Sequence, residues 1–266
     1  MALAFFLSGL IIGSFLNVVV LRLETGLSLG GRSKCPSCYA IIRWYDNIPV
    51  LSFLLLGRHC RHCRFPIAWQ YPMVEIATGS LFALFGTLSF GGGTSAEIAL
   101  TVWHLFLGAL LLAIALYDTR NMEIPLVLLL VGVIGVVIYA GIATYLAPYP
   151  WFDAAAPWRE MLWGGGIAAA FFYALVYFSR ETWMGMGDVW LAGMVGAAVG
   201  LPTLLLLCTL SFFFGAIAGI GLLMSGKRGL KSQIPFAPFL ALGTLVTLFL
   251  QLLDPWWLSL LHFPPV

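Results

Sequence analysis

Apolar and polar positions alternate along this chain in long blocks, not in the two-residue period of a strand or the stripe of a surface helix. Apolar runs fall at 2–21, 73–90, 98–117, 124–146, 160–178, 189–201, 203–224 and 235–253. A helix needs roughly 20 apolar residues to cross a bilayer, so the pattern predicts an all-α polytopic integral membrane protein with about eight transmembrane helices. The run "VWLAGMVGAAVGL" at 189–201 is short for a crossing, and Pro202 leaves only a tight turn before the next run. The first run has no basic start and no small-residue cleavage site before Arg22, so it reads as a mature span and not as a signal peptide.

Composition agrees with this pattern. The 266 residues are 61% hydrophobic and 9% charged, whereas soluble domains carry about a quarter charged residues. A net charge of +2 gives no case for nucleic acid as a partner. The placement of the cations says more than their sum. Arg22, Arg32, Lys34, Arg43, Arg58, Arg61 and Arg64 share the first long loop. Arg120, Arg180, Lys227, Arg228 and Lys231 fall in loops an even number of spans later, and Arg159 alone falls on the opposite side. Because Lys and Arg are retained in the cytoplasm, the loop is predicted to be cytoplasmic and both termini external. The expected organisation is a first transmembrane helix over 1–21, a cytoplasmic loop over 22–72, a transmembrane core over 73–253 and an outer tail over 254–266. No internal repeat is legible.

Two cysteine pairs punctuate the loop, "CPSC" at Cys35 and Cys38 and "CRHC" at Cys60 and Cys63. A two-residue gap lets both thiolates of a pair face one ion, and two such pairs make a four-thiolate zinc site. Two disulfides or a redox pair are the alternatives, which a reducing cytoplasm disfavours. With all four positions filled, the zinc reads as structural, a staple for a loop with little apolar core of its own. His59 and His62 are alternative candidates to replace one ligand but are expected at the surface of the knuckle, and Cys208 in the seventh run is expected as a packing residue.

Carboxylates at membrane depth are costly and must be paired, wet or functional. Asp118, in "LYDTRNMEIP", ends the third run, and Asp188, in "GMGD", opens the sixth at the same face. Two carboxyl groups brought together can share acid and base roles in hydrolysis. Equally, Asp188 stands where a helix cap would, and Asp118 has Arg120 nearby. A transporter or channel that handles protons or a cation at these two positions is a further reading. Gly185 and Gly187 are expected to leave room for a strand beside Asp188. Glu75, Asn17 and His104 are candidate interior polar groups within the spans.

The ordered motifs "GSFLNVVVLRL", "CPSC", "DNIPVLSFLLLGRHCRHC", "YPMVEIATG", "YDTRNMEIP", "GMGDVWLAGMVGAAVG" and "PFAPFLALG" extend over nearly the whole chain. In this order they resemble the type IV prepilin peptidases, membrane aspartic proteases of the GxGD type. The resemblance implies catalysis by Asp118 and Asp188, supported by Gly185 and Gly187, with the cysteine loop facing the cytoplasm. It also implies removal of a leader peptide from type IV prepilins or type II secretion pseudopilins at the inner membrane of a bacterium. Methylation of the new amino terminus from S-adenosylmethionine is implied by the retained cysteine loop, although no glycine-rich nucleotide fingerprint marks a cofactor site. A methyltransferase that has lost proteolysis is the third reading. Leu126 stands where many relatives carry an acid and Ala237 where glycine is common; neither position is expected to supply an essential functional group in the proposed mechanism. Pro235 and Pro238 are expected to break the start of the last span. Asp46 and Asn47 are left open between binding substrate and holding the loop's turns.

Overall fold

The computed structural model describes residues 1–146, 157–225 and 234–253. The segment 147–156, the basic group Lys227, Arg228 and Lys231, and the expected outer tail 254–266 lie outside the described residues. Each predicted apolar run is a helix: α1 (Ala2–Thr25), α3 (Gln70–Ser89), α4 (Ser95–Asn121), α5 (Leu126–Leu146), α6 (Pro157–Ser179), α7 (Met186–Val199), α8 (Leu201–Met224) and α9 (Ala237–Leu252). A short helix, α2 (Leu51–Leu55), and a 3-10 turn at Trp44–Asn47 lie in the loop. Six of these helices are long and apolar enough to cross a membrane; α7 and α9 are shorter apolar helices. At a rise of about 1.5 Å per residue α7 is about 21 Å long, less than the hydrocarbon thickness, as its short run suggested. The chain is a multi-pass membrane protein.

One compact unit comprises Met1–Gly91 and His104–Ala113. Here α1 and α3 lie so close that a Cβ on Gly9 would stand 2.7 Å from the Gly79 Cα, and one on Gly13 2.7 Å from the Glu75 Cα. Small residues permit this approach where no hydrophobic effect drives helices together. Buried Asn17 secures the contact, its Nδ2 donating to the carbonyls of Gly13 and Tyr71 at 3.2 Å each. His104 is buried with its Nδ1 2.9 Å from the Ser89 hydroxyl. Glu75 is buried too, accepting the Val50 N–H at 2.7 Å, an interior role that ties the loop to α3.

The predicted end of the first helix at residue 21 is four residues short. Helix α1 continues to Thr25 and takes Arg22 into its last turn, where it is buried. The guanidinium donates to the carbonyls of Ser28, Leu29, Gly30 and Gly31. The helix itself is capped by Gly26 in the left-handed region at φ 65°, with the Leu27 N–H donating to the Arg22 carbonyl at 2.9 Å, while the Arg22 side chain ties the segment 28–31 to the end of α1.

The second unit holds Gly92–Trp103 and the chain from Ile114 onward. Its centre is α7, most of whose residues are buried, packed against α5, α6, α8 and α9. A Cβ on Gly164 would stand 2.5 Å from the Gly196 carbonyl oxygen, so α6 and α7 touch backbone to backbone. Gly200 joins α7 to α8 at φ 78°, ψ 169°, a conformation that favours glycine. Pro202 follows in the first turn of α8, where a missing N–H costs nothing. Gln251 of α9 donates to the Val199 carbonyl at 3.3 Å and the Thr203 hydroxyl at 2.8 Å, pinning the α7–α8 turn.

Candidate active site and metal centre

The four cysteines converge. Their sulfurs lie within 4.8 Å of one another, with Cys35 and Cys63 3.8 Å apart, and all are free thiols. A tetrahedral zinc with Zn–S bonds of about 2.3 Å needs sulfurs about 3.8 Å apart, so the donor set fits a four-thiolate zinc. Neither disulfides nor histidine ligation matches: the His59 ring is engaged at Nδ1 with the Gly57 carbonyl, and the cluster consists of the cysteines.

The knuckles repeat each other in backbone. In the first, the Cys35 N–H donates to the Ala40 carbonyl at 3.0 Å and the Tyr39 N–H to the Cys35 carbonyl at 3.0 Å. In the second, the Cys60 N–H donates to Phe65 at 2.9 Å and the Arg64 N–H to Cys60 at 3.1 Å. Tyr39 and Arg64 occupy matching left-handed positions at φ 57° and 59°, and matching bridges join Lys34 to Ile41 and His59 to Pro66. The loop thus contains an internal repeat that the sequence does not display. "CPSCYAII" and "CRHCRFPI" share little beyond their cysteines, because the metal-binding turn is specified by backbone hydrogen bonds. Main-chain N–H groups of Cys63 and His62 around the Cys60 sulfur lower that thiol to about 7, favouring the thiolate that a metal needs.

Asp46 answers one open question: it holds the loop. Its carboxylate takes Arg61 in a two-oxygen pair, Nε at 3.1 and 3.0 Å and Nη2 at 2.5 Å, and the Arg61 hydrogen bonds hold Asp46 below its usual range. Arg43 and Arg61 both lie over the Tyr45 ring, at 5.8 and 5.6 Å.

In the second unit Asp118 lies in the last turn of α4 and Asp188 in the first turn of α7, both buried. Asp118 is within electrostatic reach of Asp188. Each carboxyl group is fixed through one oxygen. Asp118 Oδ2 accepts the Ala237 N–H at 3.1 Å, and Asp188 Oδ2 accepts the Gly185 N–H at 3.3 Å. The cap reading of Asp188 is corrected in position: Gly185 is the N-cap, and Asp188 is the third helical residue, whose carboxylate reaches back to the Gly185 N–H. The capping bond uses one oxygen and leaves the other for chemistry.

Ala237 escaped the sequence reading because its side chain is inert; its main-chain N–H is what touches Asp118. The signal lay in the prolines of "PFAP", which mark where a helix begins and its first N–H groups are free. Pro235 precedes α9 and Pro238 sits in its first turn. The two glycines differ. A Cβ on Gly187 would stand 3.2 Å from the Ile124 Cβ, so Gly187 admits the "EIP" turn, whereas Gly185 is exposed with open space beside it.

A bundle of apolar helices with two buried carboxyl groups at helix ends and a four-thiolate loop defines a multi-pass membrane protein with a candidate aspartyl site. Comparison with known families gives the assignment. Residues 7–88 match the bacterial peptidase A24 N-terminal domain, and residues 105–220 match the type IV leader peptidase family. The chain is 36% identical over 239 residues to a prepilin leader peptidase/N-methyltransferase of Myxococcus xanthus, covering 87% of this chain and 66% of that protein. It is 31% identical over 271 residues to one of Burkholderia pseudomallei, covering 91% and 82%. A Bacillus subtilis protein of the same name is 30% identical over 242 residues, covering 91% of each chain. No solved structure matches. This chain belongs to the type IV leader peptidase family.

Proposed function

We propose that the protein is a membrane aspartic endopeptidase that removes leader peptides from type IV prepilins or type II secretion pseudopilins, and that it also N-methylates the new amino terminus. It works in the bacterial inner membrane, its site at the cytoplasmic face. The observation that carries the peptidase reading is the pairing of buried Asp118 and Asp188, each held through Oδ2 by a main-chain N–H.

Water between the carboxyl groups loses a proton to the ionised aspartate as its oxygen attacks the scissile carbonyl carbon. The protonated aspartate donates to the carbonyl oxygen, forming a neutral gem-diol. Collapse breaks the C–N bond, the leaving amine takes a proton from a carboxyl group, and the leader departs with a new carboxyl terminus. No covalent intermediate forms. The Ala237 and Gly185 N–H groups orient the pair, and open space at Gly185 leaves room for the substrate strand. The helix ends carrying these residues lie where an apolar pilin helix would leave the bilayer for its basic leader. Zinc held by Cys35, Cys38, Cys60 and Cys63 would fix the loop. S-adenosylmethionine would supply the methyl group.

Asp118→Asn and Asp188→Asn, each co-expressed with a prepilin and followed by gel mobility, test the assignment. Each is expected to lower leader removal by about 100-fold or more. Undiminished processing in both single variants would overturn it.

A further inference from the structure

Asn47, in "DNIP", is bound up with two cavities that the peptidase chemistry does not use. An inner cavity of about 550 Å³ lies against α1 and is lined by Phe15, Val18, Ile48 and Pro49 among others. An outer cavity of about 530 Å³ is lined by Arg43, Trp44 and Tyr45. Gly31, Ser33 and Asn47 line both and so form the wall they share. Each is within the size range of small-molecule sites.

We propose that these adjoining cavities are the N-methylation site, with S-adenosylmethionine in the outer one and the hydrophobic amino-terminal residue of the cleaved pilin in the inner one. The inference rests on the methyltransferase reading above. The outer cavity offers what this cofactor requires. Trp44, 81% exposed, presents an aromatic face to an adenine ring or a sulfonium cation, and Arg43, positioned against Tyr45, offers a counter-charge to the methionine carboxylate. The inner cavity is apolar along its α1 side, where the first side chain of a mature pilin helix would bury. Its one cation, Arg22, is spent on the carbonyls of residues 28 to 31, so it shapes the shared wall without a free charge to repel an amine. The Asn47 side chain makes no hydrogen bond to the described residues, which leaves its amide oxygen to accept from the incoming amino group. In the transfer the neutral amine's lone pair attacks the methyl carbon. The carbon–sulfur bond breaks with its electrons going to sulfur, the cofactor leaves as the thioether, and the N-methylammonium releases one proton to water.

The test uses the purified full chain with its zinc, in nanodiscs. Radiolabelled S-adenosylmethionine is measured by equilibrium binding, and its photo-crosslink is mapped by mass spectrometry. The crosslink is expected within residues 43–47. Trp44→Ala and Asn47→Ala are each expected to weaken binding by about tenfold, with zinc content and leader removal kept and Trp44→Phe restoring the Trp44 loss. Val18→Trp, which fills the inner cavity, is expected to keep cofactor binding and leader removal and to lose pilin methylation. Parental binding in both alanine variants, a crosslink outside residues 29–49, or full methylation in Val18→Trp overturns the site. A parent protein that binds no S-adenosylmethionine at all overturns the methyltransferase reading with it, and so is a distinguishable failure.

Discussion

Asp188 is at once a helix cap and a candidate catalyst, and the two roles are compatible because a carboxylate has two oxygens. The Gly185 N–H holds one at 3.3 Å and thereby aims the other. The same division holds for Asp118, whose partner, the Ala237 N–H, comes from 119 residues away. Cys60 offers a prediction at this scale. Backbone N–H groups around its sulfur place the thiol at about 7, below the ordinary value of about 8.5, so in the metal-free loop Cys60 is mostly thiolate above neutral pH. After zinc is removed with a chelator, iodoacetamide is expected to modify Cys60 before Cys35, with a midpoint near pH 7 in peptide mass spectra. Modification that begins at Cys35 would contradict the assigned geometry. The cysteine spacing was legible in the sequence because ligand chemistry restricts residue type. The Ala237 contribution was not, because a main-chain donor carries no side-chain signature.

Helix α7 is too short to span a bilayer by itself yet is the most enclosed element of its unit, and glycines are what let its neighbours close around it. A Cβ on Gly196 would stand 2.6 Å from both the Ala168 Cβ and the Gly164 carbonyl oxygen. Gly196→Leu is expected to push α6 and α7 apart and to cost about 1–3 kcal/mol, read as a lowered midpoint of thermal unfolding in detergent. Gly219, beside which nothing lies within 4 Å, is the matched control, and Gly219→Leu is expected to leave the midpoint unchanged. Equal midpoints for Gly196→Leu and the parent would show that the helices have slack that the backbone contact does not allow. The long apolar runs revealed these helices with end errors of a few residues. The ends moved where polar groups are satisfied locally: α1 runs to Thr25, four residues beyond its apolar run, because Gly26 caps it and the Arg22 side chain is spent on the carbonyls of the segment that follows.

At the scale of the whole molecule, the asymmetry of Lys and Arg between loops carries the proposed orientation, with the cysteine loop inside. The ends of α4, α7 and α9 that bear Asp118, Asp188 and the Ala237 N–H would then meet at the cytoplasmic face. Alkaline phosphatase fused after Gly93 is expected to be active, and fused after Thr182 inactive. The reverse pattern would put the aspartates outside and defeat the proposed substrate geometry. The cysteine loop adds a bulk measurement: purified protein under reducing conditions should carry about one zinc per chain, and finding none would refute the proposed four-thiolate zinc.

The sequence by itself determined the class. Membrane spans depend on the length and apolarity of contiguous runs, orientation on where cations lie, and a zinc knuckle on the gap between two cysteines. All of these are local along the chain. Tertiary structure decided everything that depends on distant segments meeting: that Asp118 receives its hydrogen bond from the start of α9, and that Gly187 serves the "EIP" turn while Gly185 stays open. It also decided that Asp46 braces the loop through Arg61, while its neighbour Asn47 stands on the wall of two cavities. Backbone donors and empty volume have no residue type, so only the folded chain reveals them.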